Sequence, residues 1–180
     1  MFIIKPSILN TYDLPESYNS IFIRGGDKLL YEAKNIHISI YINKLLSIDS
    51  NTKNVFVHSD DNLIVEEIIK FILDHNINLR VFKITNNINN GGAVVMKRLQ
   101  YGTCKNIKSI DDMTPMEIKT HTTLMLNAIE IMRKSINVIT SYDTNVSRFM
   151  KINFDCNVYS VNGNNISLDK EIQNPAYGFV

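Results

Sequence analysis

The chain has 180 residues, enough for one domain with a proper core and too few for two typical domains and a linker. At 44% hydrophobic and 21% charged it has the make-up of a soluble globular protein; its net charge of +1, with Lys and Arg dispersed, speaks against a nucleic-acid surface. No apolar run approaches the ~20 residues needed to cross a bilayer, and residues 1–7, with Lys5 and Pro6, are too short for a signal peptide.

A single cytoplasmic domain without membrane contact is therefore expected over residues 1–180. Cys104 and Cys156 form no C-x-x-C pair, so both are expected as free thiols that bind no metal. Residues 1–19, with Pro6, Asn10 and Pro15, read as an irregular lead-in. The first core strand is expected at 20–24. It runs into a charged turn, Arg24-Gly25-Gly26-Asp27-Lys28, with Glu32 soon after. Residues 36–48 read as a helix, because Ile38, Tyr41, Ile42, Leu45 and Leu46 recur at three- and four-residue spacing. A second strand at 54–59 ends at Asp60 and Asp61, either of which can cap a helix over 62–75.

A third strand is expected at 79–84, with Arg80 and Lys83 alternating on it, and a polar loop at 85–92. Within 93–113 only a short helix near 94–99 suggests itself. Thr114-Pro115-Met116-Glu117 then supplies an N-cap, a proline at the first position and a capping-box glutamate for a helix running to about 134. A fourth strand at 136–140 leads through the polar turn 141–145 into a short helix ending near 150, and 156–161 could be a fifth strand. Residues 162–180 read as a loose tail. Strands separated by helices point to an α/β, Rossmann-like three-layer domain with a mainly parallel sheet.

In such a sheet the strand ends converge on one edge, where ligands bind. That edge would collect Arg24, Asp27, Lys28 and Glu32 from the first turn, Asp60 and Asp61 from the second, and Thr144 and Asn145 from the last. Arg24 offers a planar fork for phosphate, the two glycines allow close approach or positive φ, and a helix starting at Thr144 aims N–H groups at the same place. Asp60-Asp61 reads as a cap before it reads as a metal pair. His58 reads as a core-edge histidine, and His37, His75 and His121 have no second ligand at metal spacing. Neither Gly-Gly pair belongs to a dinucleotide fingerprint or a P-loop, and no G-x-S-x-G motif occurs.

The order Arg24, Asp27, Lys28, Glu32, Tyr41 resembles the first motif of the GDP-fucose-dependent fucosyltransferases, roughly H-x-R-R-x-D-K followed by Glu and Tyr at the same spacing. Closest in pattern are the alpha-1,6-fucosyltransferases of N-glycan cores and their nodulation relatives. Their second motif, a strand ending in T-D-D, is similar to residues 55–61. Their third, a helix, a strand and an S-S-Q turn, resembles 126–148, with Asp143, Thr144 and Asn145 at the turn and Arg148 matched. The likeness covers about residues 20–150. Phe22 stands where the family has a histidine that helps hold the base, and Gly25 replaces the second arginine. The guanine-reading carboxylate falls near Asn127 or Ala128, with Glu130 out of register.

The resemblance implies the carboxyl-terminal, donor-binding half of a GT-B glycosyltransferase. It implies a nucleoside-diphosphate sugar, GDP-fucose first, as donor and a glycan or protein hydroxyl as acceptor, with inversion and without metal or other cofactor. Glu32 would be the general base, Arg24 and Lys28 would hold the leaving diphosphate, and Asp27, Tyr41, Asp60, Asp61, Thr144 and Asn145 would position or line the site. The acceptor-binding half is missing, so a second chain could supply it. The competing reading is a non-catalytic sugar-nucleotide-binding or scaffold module that pairs with another chain.

Overall fold

The computed structural model describes residues 12–25, 36–84, 94–98, 104–109, 113–142 and 144–162, with 94–98 and 104–109 described by their backbone alone. Five parallel strands form the centre: β1 (Asn19–Ile23), β2 (Asn54–Ser59), β3 (Arg80–Phe82), β6 (Asn137–Thr140) and β7 (Asn157–Ser160), in the order β3-β2-β1-β6-β7. Four helices flank them: α1 (Ile38–Ile48), α2 (Asn62–Asp74), α3 (Pro115–Arg133) and α4 (Asn145–Asn153). The Rossmann-like, three-layer α/β expectation holds.

Strand alternation assigns the layers. Ile21, Ile23, Val55, Val57 and Ile139 pack with Tyr41, Ile42 and Leu45 of α1 and with Ile64, Val65 and Ile68 of α2. The intervening Phe22, Phe56, Val138 and Val158 pack with Ala128, Ile131 and Met132 of α3 and with Met150 of α4. Thus α1 and α2 cover one face, and α3 and α4 the other.

Caps set the helix bounds. His37 accepts from the N–H of Ser39, so α1 begins at Ile38, two residues later than expected. Asp61 caps α2 and Thr144 caps α4; the full capping box of Thr114 and Glu117 opens α3. Helix α4 continues to Asn153, past the expected end near 150.

Five strand readings change. The first strand is Asn19–Ile23, one residue earlier than expected, and leaves Arg24 outside it. The third strand is only Arg80–Phe82, because Lys83 leaves the ladder to pair with Glu66 of α2. The fourth begins at Asn137, since Ile136 stands outside it and donates its N–H to the carbonyl of Tyr18. The fifth is trimmed at both ends to Asn157–Ser160. The short helix expected near 94–99 is a strand: β4 (Val94–Arg98) pairs antiparallel with β5 (Cys104–Ser109) in a separate two-stranded ribbon. Adjacent β-branched Val94 and Val95 favour the extended chain there, and the ribbon satisfies by pairing the backbone groups that a single turn of helix would leave open. The residues of the 85–92 loop and of 163–180 lie outside those described.

A polar ladder pins the amino ends of the strands. The Asn19 amide donates to Asp49 and Thr52, each at 2.8 Å, and its oxygen accepts from Asn137 at 2.8 Å. Asn157 continues the ladder to the Asn137 oxygen at 3.4 Å. At the other edge the layout sets up a crevice. From β1 the chain moves outward to β2 and β3, then returns to β6 on the opposite side. The strand order therefore reverses between β1 and β6, whose carboxyl ends splay their connections apart.

Candidate functional site

The crevice is flanked by the turn after β1 and the turn after β6. Register places Ile23 beside Ser59, so Arg24 emerges next to Asp60. Arg24 and Asp60 form an ion pair, and the N–H of Gly25 donates to the same carboxylate. Both partners are largely withdrawn from solvent, at 15% and 7% exposure for Arg24 and Asp60. The expectation of Arg24 as a fork turned to a phosphate meets a competitor here. A charge this sheltered needs a partner, and Asp60 is it.

Gly25 owes its place to close approach. A β-carbon there would lie 2.5 Å from Cβ of Asp61 and 2.9 Å from Cδ1 of Ile64. The turn after β1 is thus pressed against the start of α2. Asp61 is committed locally: its carboxylate accepts from the N–H of Leu63 at 3.0 Å, and its own N–H donates to the Ser59 hydroxyl at 3.0 Å. The cap reading of Asp61 stands. Among the described residues, no group of three or more His, Cys, Asp or Glu gathers where a metal could be held.

Across the crevice, Thr144 opens α4. Its hydroxyl accepts from the N–H of Ser147 at 3.1 Å, while Thr140, Ser147 and Thr144 form a buried chain of hydroxyls with links of 2.7 and 2.8 Å. The side chain of Thr144 is therefore spent on the cap. The helix start still presents its first N–H groups, at Asn145 and Val146, and Asn145 is exposed. Helix α3 leads directly into β6, so its carboxyl end lies at the amino edge and its exposed first two turns stand towards the carboxyl edge.

Tyr41 sits elsewhere. It is buried in the core between α1 and the sheet. Asp27, Lys28 and Glu32, and with them the candidate base and second cation, lie outside the described residues, as does Asp143. The structure thus brings together Arg24, Asp60, Asp61, Thr144 and Asn145 at one edge and removes Tyr41 from it.

His58 is more than a core-edge residue. It lies at the carboxyl end of β2, only 3% exposed, directly beside Phe22 in register. Its ring is nearly parallel to those of Phe22 and Phe56, with centroids 6.2 and 6.4 Å away. Among the described residues Nδ1 is buried without a hydrogen-bond partner, and so is the hydroxyl of Ser20 on the same face. Burial alone pushes the imidazole pKa down to about 4, so His58 is neutral at physiological pH. The alternation Val55-Phe56-Val57-His58 carries the signal that could have found it, since a histidine on the inward parity of a core strand must be buried.

No helix among the described residues is long and apolar enough to cross a membrane. Comparison of the sequence with models of protein families finds none that matches, and comparison with curated proteins finds no match either.

Proposed function

We propose that the carboxyl edge of this sheet binds a nucleoside-diphosphate sugar, GDP-fucose first among them, and that the domain serves inverting transfer of the sugar to a hydroxyl of a glycan or protein. The observation that carries the reading is the reversal of strand order between β1 and β6, with Arg24 on one side and the start of α4 on the other. In open parallel sheets that crevice is where nucleotides lie, and a helix start facing an arginine suits a diphosphate. In this scheme the leaving diphosphate draws Arg24 from Asp60 and settles on the N–H groups of Asn145 and Val146, while Glu32 takes the acceptor proton and Lys28 assists. No metal or other cofactor takes part, and the setting is cytoplasmic.

A second reading has its own observation. Arg24 is paired with Asp60, Asp61 caps α2, and the hydroxyls of Thr140, Thr144 and Ser147 satisfy one another. A sugar-nucleotide module that has lost transfer, or a scaffold docked on a second chain, would keep such an edge for stability alone.

Titration calorimetry with GDP on the wild type, Arg24→Ala and Glu32→Gln separates the two. The transferase reading expects GDP to bind, Arg24→Ala to weaken binding by roughly ten- to a hundredfold, and Glu32→Gln to bind normally while losing transfer. A wild type that binds no nucleoside diphosphate leaves the scaffold.

A further inference from the structure

On the α1 side of the sheet, the described residues leave an open groove between α1 and the end of β7. Ile40, Asn43, Lys44 and Ser47 line it from α1, and Ser160, Val161 and Asn162 from the end of β7. Its volume is about 760 Å³, within the range of small-molecule sites. None of these residues belongs to the Arg24 turn or to α4, so the groove stands independently of the nucleotide reading.

We propose that this groove is a second binding site, for an oxyanion carried on a hydroxylated ring, that is, a sugar acid or a sugar phosphate. The polar groups lining it are mostly donors. Lys44 is half-buried, and among the described residues no carboxylate lines the groove and Lys44 enters no ion pair. In contrast with Arg24, its charge has no ionic partner among the described residues. The Asn162 amide is oriented by its oxygen, which accepts the N–H of Tyr142 at 3.1 Å and the hydroxyl of Ser160 at 2.8 Å. Among the described residues nothing accepts from the NH₂ of Asn162, and the exposed amide of Asn43 adds two more donors. Ser47 gives its proton to the carbonyl of Lys44 at 2.7 Å, which leaves its lone pairs to accept from a ligand hydroxyl.

This set fits one charged oxygen group on Lys44, with ring hydroxyls shared among the amides and Ser47. Ile40, 45% exposed, and Val161 supply the apolar strip that the C–H face of a ring requires. A bare inorganic ion would leave both unused.

The test is titration of the isotope-labelled protein, read at the side-chain amides of Asn43 and Asn162, with glucuronate, glucose 6-phosphate, glucose and inorganic phosphate. Glucuronate, glucose 6-phosphate or both should move these signals, and which of them does identifies the oxyanion. Glucose and inorganic phosphate should bind about tenfold more weakly or worse. Lys44→Ala should weaken binding about tenfold, and Lys44→Glu should abolish it. Both variants change a half-exposed position and should unfold at the wild-type temperature. The proposal is overturned if neither anionic sugar moves the two amides, if inorganic phosphate binds as well as the sugars, or if Lys44→Ala binds like the wild type.

Discussion

His58 makes the stability of this domain depend on pH in a defined window. In the unfolded chain its imidazole takes up a proton near pH 6.5; in the folded state burial holds that off until about pH 4. Between those values the unfolded state binds more protons, so stability is full above pH 6.5 and falls as the pH drops towards 4. At about 1.4 kcal/mol per decade of proton concentration, the loss reaches ~2 kcal/mol at pH 5 and ~3 kcal/mol near pH 4. The cause is desolvation, because the rings of Phe22 and Phe56 flank the imidazole and no carboxylate among the described residues partners it. Urea unfolding of the wild type and His58→Phe at pH 8, 6.5, 5 and 4.5 measures the effect. Carboxylate contributions are common to both proteins and cancel in the difference. That difference should be flat above pH 6.5 and then swing in favour of the variant by ~2 kcal/mol at pH 5. His58→Gln, which cannot titrate, should show the same swing from a different baseline. Parallel profiles for wild type and variants would refute the reasoning and mean that the imidazole can charge in place.

The close approach at Gly25 predicts that Gly25→Ala destabilises the fold by ~1–3 kcal/mol, since the new methyl meets Asp61 at 2.5 Å; a change within 0.5 kcal/mol, by the same urea assay, counts against that contact. Thr144→Ala should cost ~1 kcal/mol as a lost cap, and Thr144→Ser should restore most of it. Burial raises the Cys156 thiol above its ordinary pKa, so alkylation at pH 8 should be slower than for a free cysteine; an equal rate would show the thiol to be open. Asp60→Asn should strengthen binding of GDP or pyrophosphate if Arg24 is the diphosphate fork, and calorimetry reads this directly.

Much of the fold was legible because its signals are local. The capping box at Thr114, the three- and four-residue apolar spacing of α1 and α2, and the alternation in β2 each report a backbone state with few competitors. The 94–98 region failed for the opposite reason: five residues fit one helical turn or one strand, and only pairing with Cys104–Ser109 decides between them. The candidate edge was legible as a place, because parallel strands must end together. Its internal chemistry was not. That Asp60 would answer Arg24, or that Ser147 would close a chain with Thr140 and Thr144, depends on distances across strands that no spacing along the chain encodes. Tyr41 illustrates the same limit. Its place in the apolar face of α1 and its place in a resembling motif made different demands, and burial against the sheet satisfied the first.

The Arg24–Asp60 pair bears on both functional readings. Withdrawn from solvent, it is weak evidence for stability, because two charges so placed cost desolvation that their attraction only partly offsets. A purely structural edge would do as well with apolar residues over Ile64. An edge built for an anion has a reason to hold an arginine under a carboxylate: the pair keeps the fork ordered and charged until a diphosphate displaces the weaker partner. The two cases differ in how ligand affinity responds to Asp60→Asn. If Arg24 serves a ligand, removing its competitor raises affinity for pyrophosphate while lowering stability. If the pair is only a clasp, stability falls and affinity stays at zero. Measuring both quantities on the one variant therefore tests the ligand role of Arg24 without identifying the sugar or the acceptor.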